Sequence, residues 1–143
     1  MSRKIDIQTR EFLIDDYEAA VELWKRVEGL DIAEGDDRES LRRFLRQNGG
    51  LSRVATDRST MVGAALCGHD GRRGYIYHLA VDPAYQGCGI GKRLIDECLD
   101  GLRRAGLERA NILVAKNNPR GREFWKRAGW EELDGAIAMG IDL

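Results

Sequence analysis

Proline, histidine and cysteine are scarce in this chain: 2, 2 and 3 of 143 residues. Each scarcity excludes something. Cys67, Cys88 and Cys98 are odd in number and lack metal-ligand spacing. With two scattered histidines they argue against a disulfide framework and a zinc site, and for reduced thiols in a cytoplasmic protein. No apolar run approaches the ~18 residues of a membrane span. The opening Met1-Ser-Arg-Lys-Ile-Asp leads into a polar–apolar pattern without a signal-peptide core. Lys and Arg number 23 against 24 Asp and Glu, a formal net charge of −1. A broad basic field for nucleic acid is therefore not expected. Repeats, linkers and low-complexity stretches are absent. What remains is the length of one domain, 1–143, which buries roughly two thirds of its unfolded surface.

Glycine, by contrast, is plentiful, at 17 residues. Three of them set the most informative stretch, Val81-Asp-Pro-Ala-Tyr-Gln-Gly-Cys-Gly-Ile-Gly-Lys-Arg-Leu-Ile95. It follows an apolar run, Tyr75 to Val81, that reads as a buried strand. It turns through Asp82-Pro83, crosses Gly87, Gly89 and Gly91, and enters an amphipathic helix with Leu94, Ile95, Cys98, Leu99 and Leu102 on one face. A strand, a glycine-rich turn and a helix start present free backbone N–H groups, a positive dipole end and room for an anion. The stretch reads as a diphosphate cradle.

Two common nucleotide signatures fit it poorly. Gly-x-Gly-x-Gly misses the dinucleotide fingerprint by one position, and no acidic residue closes a second strand at the expected distance. For a phosphate loop, only three residues separate Gly87 from Gly91, and Arg93 stands where a hydroxyl should bind magnesium.

Gln86-x-x-Gly89-x-Gly91 after Leu79-Ala-Val-Asp-Pro83 instead resembles the acyl-CoA signature of the GNAT family of N-acetyltransferases. Asn118-Pro119 and Phe124-Trp-Lys-Arg-Ala-Gly-Trp130 are similar to that family's later blocks, in the right order and spacing. The run Gly68 to Val81 is similar to the small bacterial YpeA-like subgroup. Together these blocks cover about the C-terminal two thirds of the chain.

The element order expected from periodicity and turn signals agrees with that resemblance. Ile5 to Ile14 reads as a strand, and Asp15 or Asp16 caps a helix to about Glu28. Asp31 to Asp37 is an acidic loop. Asp36 with Glu39 has the spacing of a capping box for a second helix carrying Leu41, Phe44 and Leu45, stopped by Gly49-Gly50. Strands follow at Leu51–Thr56, Thr60–Cys67 and Gly74–Asp82, with turns at Asp57-Arg58-Ser59 and Asp70-Gly71. The cradle helix spans about Gly89 to Ala105. Ala110–Ala115 reads as a strand buried on both faces, and Asn118 with Pro119 opens a last helix to Gly129. Trp130–Leu133 and Ala136–Ile141 read as a closing hairpin. The fold class is mixed α/β (α+β), with a largely antiparallel central sheet and helices on both faces. In the family the fourth and fifth strands splay apart and the acyl-CoA arm lies in the gap.

The resemblance implies acetyl-CoA as co-substrate and no metal. It assigns the diphosphate to the backbone of Gln86, Gly87, Cys88, Gly89, Ile90, Gly91 and Lys92, with Lys92 or Arg93 adding charge. The pantetheine arm falls to the main chain of Leu79, Ala80 and Val81, and to Asn118, although a helix cap alone would also explain Asn118. Trp125 occupies the position of a family tyrosine that protonates the leaving thiolate. Indole has no proton to give at a useful pKa. Solvent or another group then supplies that proton, Trp125 packs against the thioester, or the chain binds CoA without turnover.

Candidates for a base are Tyr75, Tyr77, His78, His69 and Asp70. Tyr75 lies where some members place a glutamate. His78 carries the side chain best suited to accept an ammonium proton near neutrality, against the plain alternative of a satisfied core histidine. Strand alternation sets Tyr75, Tyr77 and Leu79 on one face and Ile76 and His78 on the other. The acidic loop of Asp31, Glu34, Asp36 and Asp37 either draws a cationic amine or is a solvated loop. Cys88 reads as a small residue at a tight turn. The function expected is direct acetyl transfer to a primary amine, the alternatives being an acyl-CoA sensor and a nucleotide-binding regulator. A homodimer through the closing hairpin is a family analogy.

Overall fold

The computed structural model describes residues 4–143. Residues up to Leu113 form one compact unit and Val114–Leu143 a second.

The first unit is built on a five-stranded sheet in sequence order, β1 (Ile7–Glu11), β2 (Arg53–Asp57), β3 (Thr60–His69), β4 (Gly74–Val81) and β5 (Ala110–Asn111). The first three pairings are antiparallel and the β4–β5 pairing is parallel. Helices α1 (Tyr17–Arg26) and α2 (Arg38–Gln47) join β1 to β2, and α3 (Ile90–Arg104) joins β4 to β5. The expected mixed, largely antiparallel sheet is present. Helices lie on both of its faces. On one, Trp24 and Leu23 of α1 and Leu41 of α2 bury against Val54, Ala64, Leu66 and Ala80. On the other, glycines let α3 sit close. A Cβ on Gly63 would stand 3.0 Å from Ile90 and 3.1 Å from Leu94, and one on Gly74 only 2.5 Å from Leu102.

Local chemistry explains most boundaries. Strand β1 is shorter than its apolar pattern, because the chain leaves the sheet at Phe12 and makes a single 3-10 turn, Ile14–Asp16. Helix α2 is capped by Asp37, whose side chain accepts from Ser40 N at 3.1 Å. The expected Asp36–Glu39 capping box does not form: the cap lies one residue later, as a single Asp37 bond, and Asp36 is left for another partner. Helix α3 ends where Gly106, at φ 91°, carries the reversing bonds Leu107 N to Leu102 O and Gly106 N to Arg103 O, both 3.0 Å.

Strand β5 is a correction. Only Gly74↔Ala110 and Tyr75↔Asn111 pair. The expected strand to Ala115, buried on both faces, stops after two residues, and Leu113 is 77% exposed. Among the described residues the β4–β5 ladder ends at Tyr75 and Asn111, so the chain beyond has no β4 pairing to hold it in a strand.

In the second unit α4 spans Pro119–Arg127. Asn118 Oδ1 accepts from Gly121 N at 3.1 Å, and proline occupies the first turn. The expected closing hairpin does not form. Asp134-Gly135 makes a turn, but among the described residues 130–143 none is in a strand. An isolated hairpin is marginal in water, and Ala136, Ala138 and Gly140 are weak strand formers.

Candidate active site

The site is organised by the second half of β4. Past Tyr75 its β5-facing edge has no strand partner among the described residues. On the other edge, Asp82 N donates to Val62 O at 2.8 Å and Val81 stands opposite Gly63. Antiparallel pairs alternate, so Val81 is a non-bonded pair whose N–H and C=O point to the open edge. Its carbonyl is taken by Gln86 Nε2 at 3.2 Å. Its N–H faces outward. Leu79 and Ala80 precede it, Ala80 buried in the α1–α2 core and Leu79 half-buried.

From Val81 the chain makes a single 3-10 turn, Pro83–Tyr85, started by Asp82, whose Oδ1 accepts from Ala84 N at 2.9 Å. Two contacts brace this turn. Arg26 Nη2 of α1 lies 2.9 Å from Asp82 Oδ2, and Tyr85 Oη donates to buried Asp57 Oδ2 at 2.6 Å. Gly87 and Gly89 then adopt left-handed φ of 83° and 81°, with open space where a Cβ would stand. Gly89 caps α3 without a side chain, and the first helical bond runs from Arg93 N to Gly89 O at 3.1 Å. The N–H groups of Ile90, Gly91 and Lys92 therefore have no carbonyl behind them within the helix. Cys88 is exposed between the two glycines. Main-chain donors at a helix start are the kind of group that can take an anion.

The basic residues behind the glycines divide. Lys92 stays exposed at the loop, 2.8 Å from Asp96. Arg93 is drawn away, to Glu97 (3.3 Å), Thr9 Oγ1 (3.3 Å) and Ile7 O (3.3 Å), where it ties the cradle helix to β1. Of the two candidates for that charge, Lys92 is the one beside the loop.

The face assignment of His78 is corrected. Its φ is +48°, and the register against β3 slips between Ala64 and Leu66, so β4 holds an extra residue here. The bulge turns the imidazole onto the α1–α2 face, 4.9 Å from the Trp24 ring. Tyr77 lies on that face too, edge-on to Phe44, and stacks with Tyr75 at 5.9 Å. Burial first, then the neighbouring Tyr75 and Asp70, push the Tyr77 hydroxyl above its ordinary pKa. His78 Nε2 lies 2.9 Å from Asp36 Oδ2. Nothing local in the sequence signals this pairing, since Asp36 reads as a helix cap and lies far along the chain. His69 and Asp70 are occupied in their own turn, with Gly71 N on His69 Nδ1 (3.0 Å) and the N–H groups of Arg72 and Arg73 on Asp70 (2.8 and 2.9 Å). Asp31 and Glu34 are exposed loop residues, and Asp37 caps α2.

Asn118 and Trp125 belong to the second unit. Asn118 caps α4. Trp125 sits at its last turn, its ring 5.0 Å from Trp130 and 5.7 Å from Phe124.

The sequence matches the family described as acetyltransferase (GNAT) over residues 10–130. An acetyltransferase of Sodalis glossinidius (strain morsitans) is 30% identical over 137 residues, 96% of each chain. One of Yersinia pseudotuberculosis is 31% identical, again over 96% of each. Among solved structures, an N-acetyltransferase of Thermoplasma acidophilum in complex with coenzyme A superposes with a TM-score of 0.77 at 21% identity, covering 92% of this chain and 94% of that one. The Escherichia coli ribosomal-protein-S18-alanine N-acetyltransferase gives 0.70 at 20% identity, over 90% and 79%. At these identities the structural likeness shows the fold.

Proposed function

The chain belongs to the GNAT family of acetyltransferases, and on that footing we propose that it transfers an acetyl group from acetyl-CoA to a primary amine by direct attack. The observation that carries this reading is the unpaired edge of β4 running into the glycine loop at the start of α3. An extended pantetheine arm adds to such an edge as another strand would. The diphosphate then meets the free N–H groups of Ile90, Gly91 and Lys92, with the Lys92 ammonium beside them.

Acetyl-CoA supplies an activated acyl group, and the chain's task is to hold it and the amine together. Nitrogen attacks the thioester carbonyl, the C–N bond forms as the C–S bond breaks, and the thiolate leaves. The outward N–H of Val81 is the donor available to the oxyanion. No covalent enzyme intermediate is required.

The test is thermal stability with acetyl-CoA, CoA and ATP, followed by thiol release with a panel of amines. Binding to the folded state alone stabilises by about 2.7 kcal/mol at a hundredfold excess over Kd. A rise with both CoA species and none with ATP is expected. No rise with either CoA species makes the glycine loop a packing turn only.

A further inference from the structure

We propose that Asp36 is a positioning residue, which holds the His78 imidazole in the Nε2–H tautomer so that Nδ1 takes the proton of the acceptor ammonium. This rests on the acetyl-transfer reading above.

Three observations carry it. The first is the backbone. A histidine at φ +48° inside a strand is unfavourable by about 1–3 kcal/mol, and such strain persists where the surroundings enforce it. Here it has a definite effect: it moves the ring from the α3 face, where Ile76 lies, to the face of Trp24. The second is how Asp36 is held. Its Oδ2 accepts from Ala33 N at 2.9 Å as well as facing His78. Its own N–H donates to Ala33 O at 3.1 Å, and its carbonyl accepts from Tyr17 Oη at 2.8 Å. The pair is only 21% and 14% exposed at the side chains. The third is donor chemistry. An ionised carboxylate only accepts, so the nitrogen facing it carries the hydrogen and the other keeps its lone pair. The Trp24 ring lies against the imidazole, tilted at 56° with centroids 4.9 Å apart.

The proton balance closes without a co-reactant. The ammonium gives one proton to Nδ1, which leaves an imidazolium beside Asp36. The freed amine attacks the thioester. The second excess proton on nitrogen goes to the departing thiolate, and His78 returns its own to solvent. The products are the amide, CoA thiol and one proton.

Two measurements test this. Nitrogen-15 NMR of histidine-labelled protein reads the tautomer directly and needs no acetyl acceptor. The wild type is expected to show Nε2–H at His78, and Asp36→Asn a mixture of tautomers. A wild-type His78 protonated at Nδ1, or an unchanged tautomer in Asp36→Asn, overturns the proposal. In kinetics, base catalysis is typically worth about 10²–10⁴ in rate, so Asp36→Asn is expected to lower kcat by at least about tenfold with the KM for acetyl-CoA unchanged. Asp36→Glu should recover part of that loss. Tyr17→Phe loosens the same loop and keeps the carboxylate. If it lowers kcat as much as Asp36→Asn does, Asp36 is a loop anchor and the proposal falls. A failure of the acetyl-transfer reading would appear separately, as no thiol release by the wild type with any amine, while the tautomer stays readable by NMR.

Discussion

Gln86 Nε2 donates to Val81 O across 3.2 Å, so the residue that opens the glycine loop is bonded to the strand end it leaves. The bond occupies the one Val81 acceptor on the open edge and leaves the N–H of Val81 as the polar group presented there. A hydrogen bond of this kind is worth about 1 kcal/mol, so Gln86→Ala should raise the Kd for acetyl-CoA about fivefold. Calorimetric titration checks it. An unchanged Kd would mean the loop holds its shape without the bond.

Gly63 sets the height of the cradle helix over the sheet. Side-chain carbons of Ile90 and Leu94 lie 3.0 and 3.1 Å from where its Cβ would be. Gly63→Val forces the first turn of α3 outward. Overpacking of this kind costs about 1–3 kcal/mol. The expected result is a lower denaturation midpoint in urea and weaker acetyl-CoA binding together, because the same turn carries the free N–H groups. A loss of stability with intact binding would separate packing from the cradle.

Acid sensitivity should be traceable to Asp16. Arg10 Nη1 and Nη2 each lie 2.8 Å from its two oxygens, and Leu13 N donates to it at 2.9 Å. The Arg10 bond holds the Asp16 carboxyl below its ordinary value of 3.8, against the opposing effect of burial. The folded state thus binds this proton less readily than the unfolded chain. The resulting stability is present at neutral pH and is lost as pH falls from about 4 through the depressed folded value. Asp16→Asn removes it at all pH values. Urea denaturation at pH 7 and near pH 3 should show a smaller drop on acidification for the variant than for wild type. Equal drops would mean the pair contributes nothing, as exposed pairs often do.

The glycine turn and the helix after it are legible because residue type encodes them. Glycine at 87 and 89 announces left-handed turns, and the helix that follows has clear apolar spacing. The open edge of β4 was legible only through family resemblance, since a pairing that stops after Tyr75 leaves no local mark. Alternation sets His78 on the wrong face because it assumes a regular ladder. A bulge of one residue reverses every later side chain, and histidine does not advertise a positive φ as glycine does. The pairing of Asp36 with His78 leaves no local mark for a related reason: the partner lies across the fold, and the nearby helix offers Asp36 a plausible role as cap that Asp37 performs instead. The closing hairpin failed because alternation of Ile137, Met139 and Ile141 specifies a face, while a strand also needs a neighbour to bond.

Trp125 offers the sharpest test of chemistry against packing. Gly129, at φ 97°, reverses the end of α4, with Trp130 N on Trp125 O and Gly129 N on Lys126 O, both at 3.0 Å. In this helix-ending arrangement the residues at Trp125 and Trp130 form the accompanying apolar contact, and their rings meet at 5.0 Å. Packing alone therefore accounts for an aromatic residue at Trp125, but not for indole over phenol. Trp125→Tyr keeps a ring against Trp130 and adds the hydroxyl that the family resemblance assigns to protonation of the thiolate. Acid catalysis is worth roughly 10²–10⁴ where it operates fully, so a rise in kcat of at least about fivefold is expected, with the KM for acetyl-CoA within about twofold. Trp125→Phe, which keeps the ring without the hydroxyl, should show no gain. If Trp125→Tyr and Trp125→Phe behave alike, the leaving thiolate needs no acid from this position, and Trp125 serves the end of the helix alone.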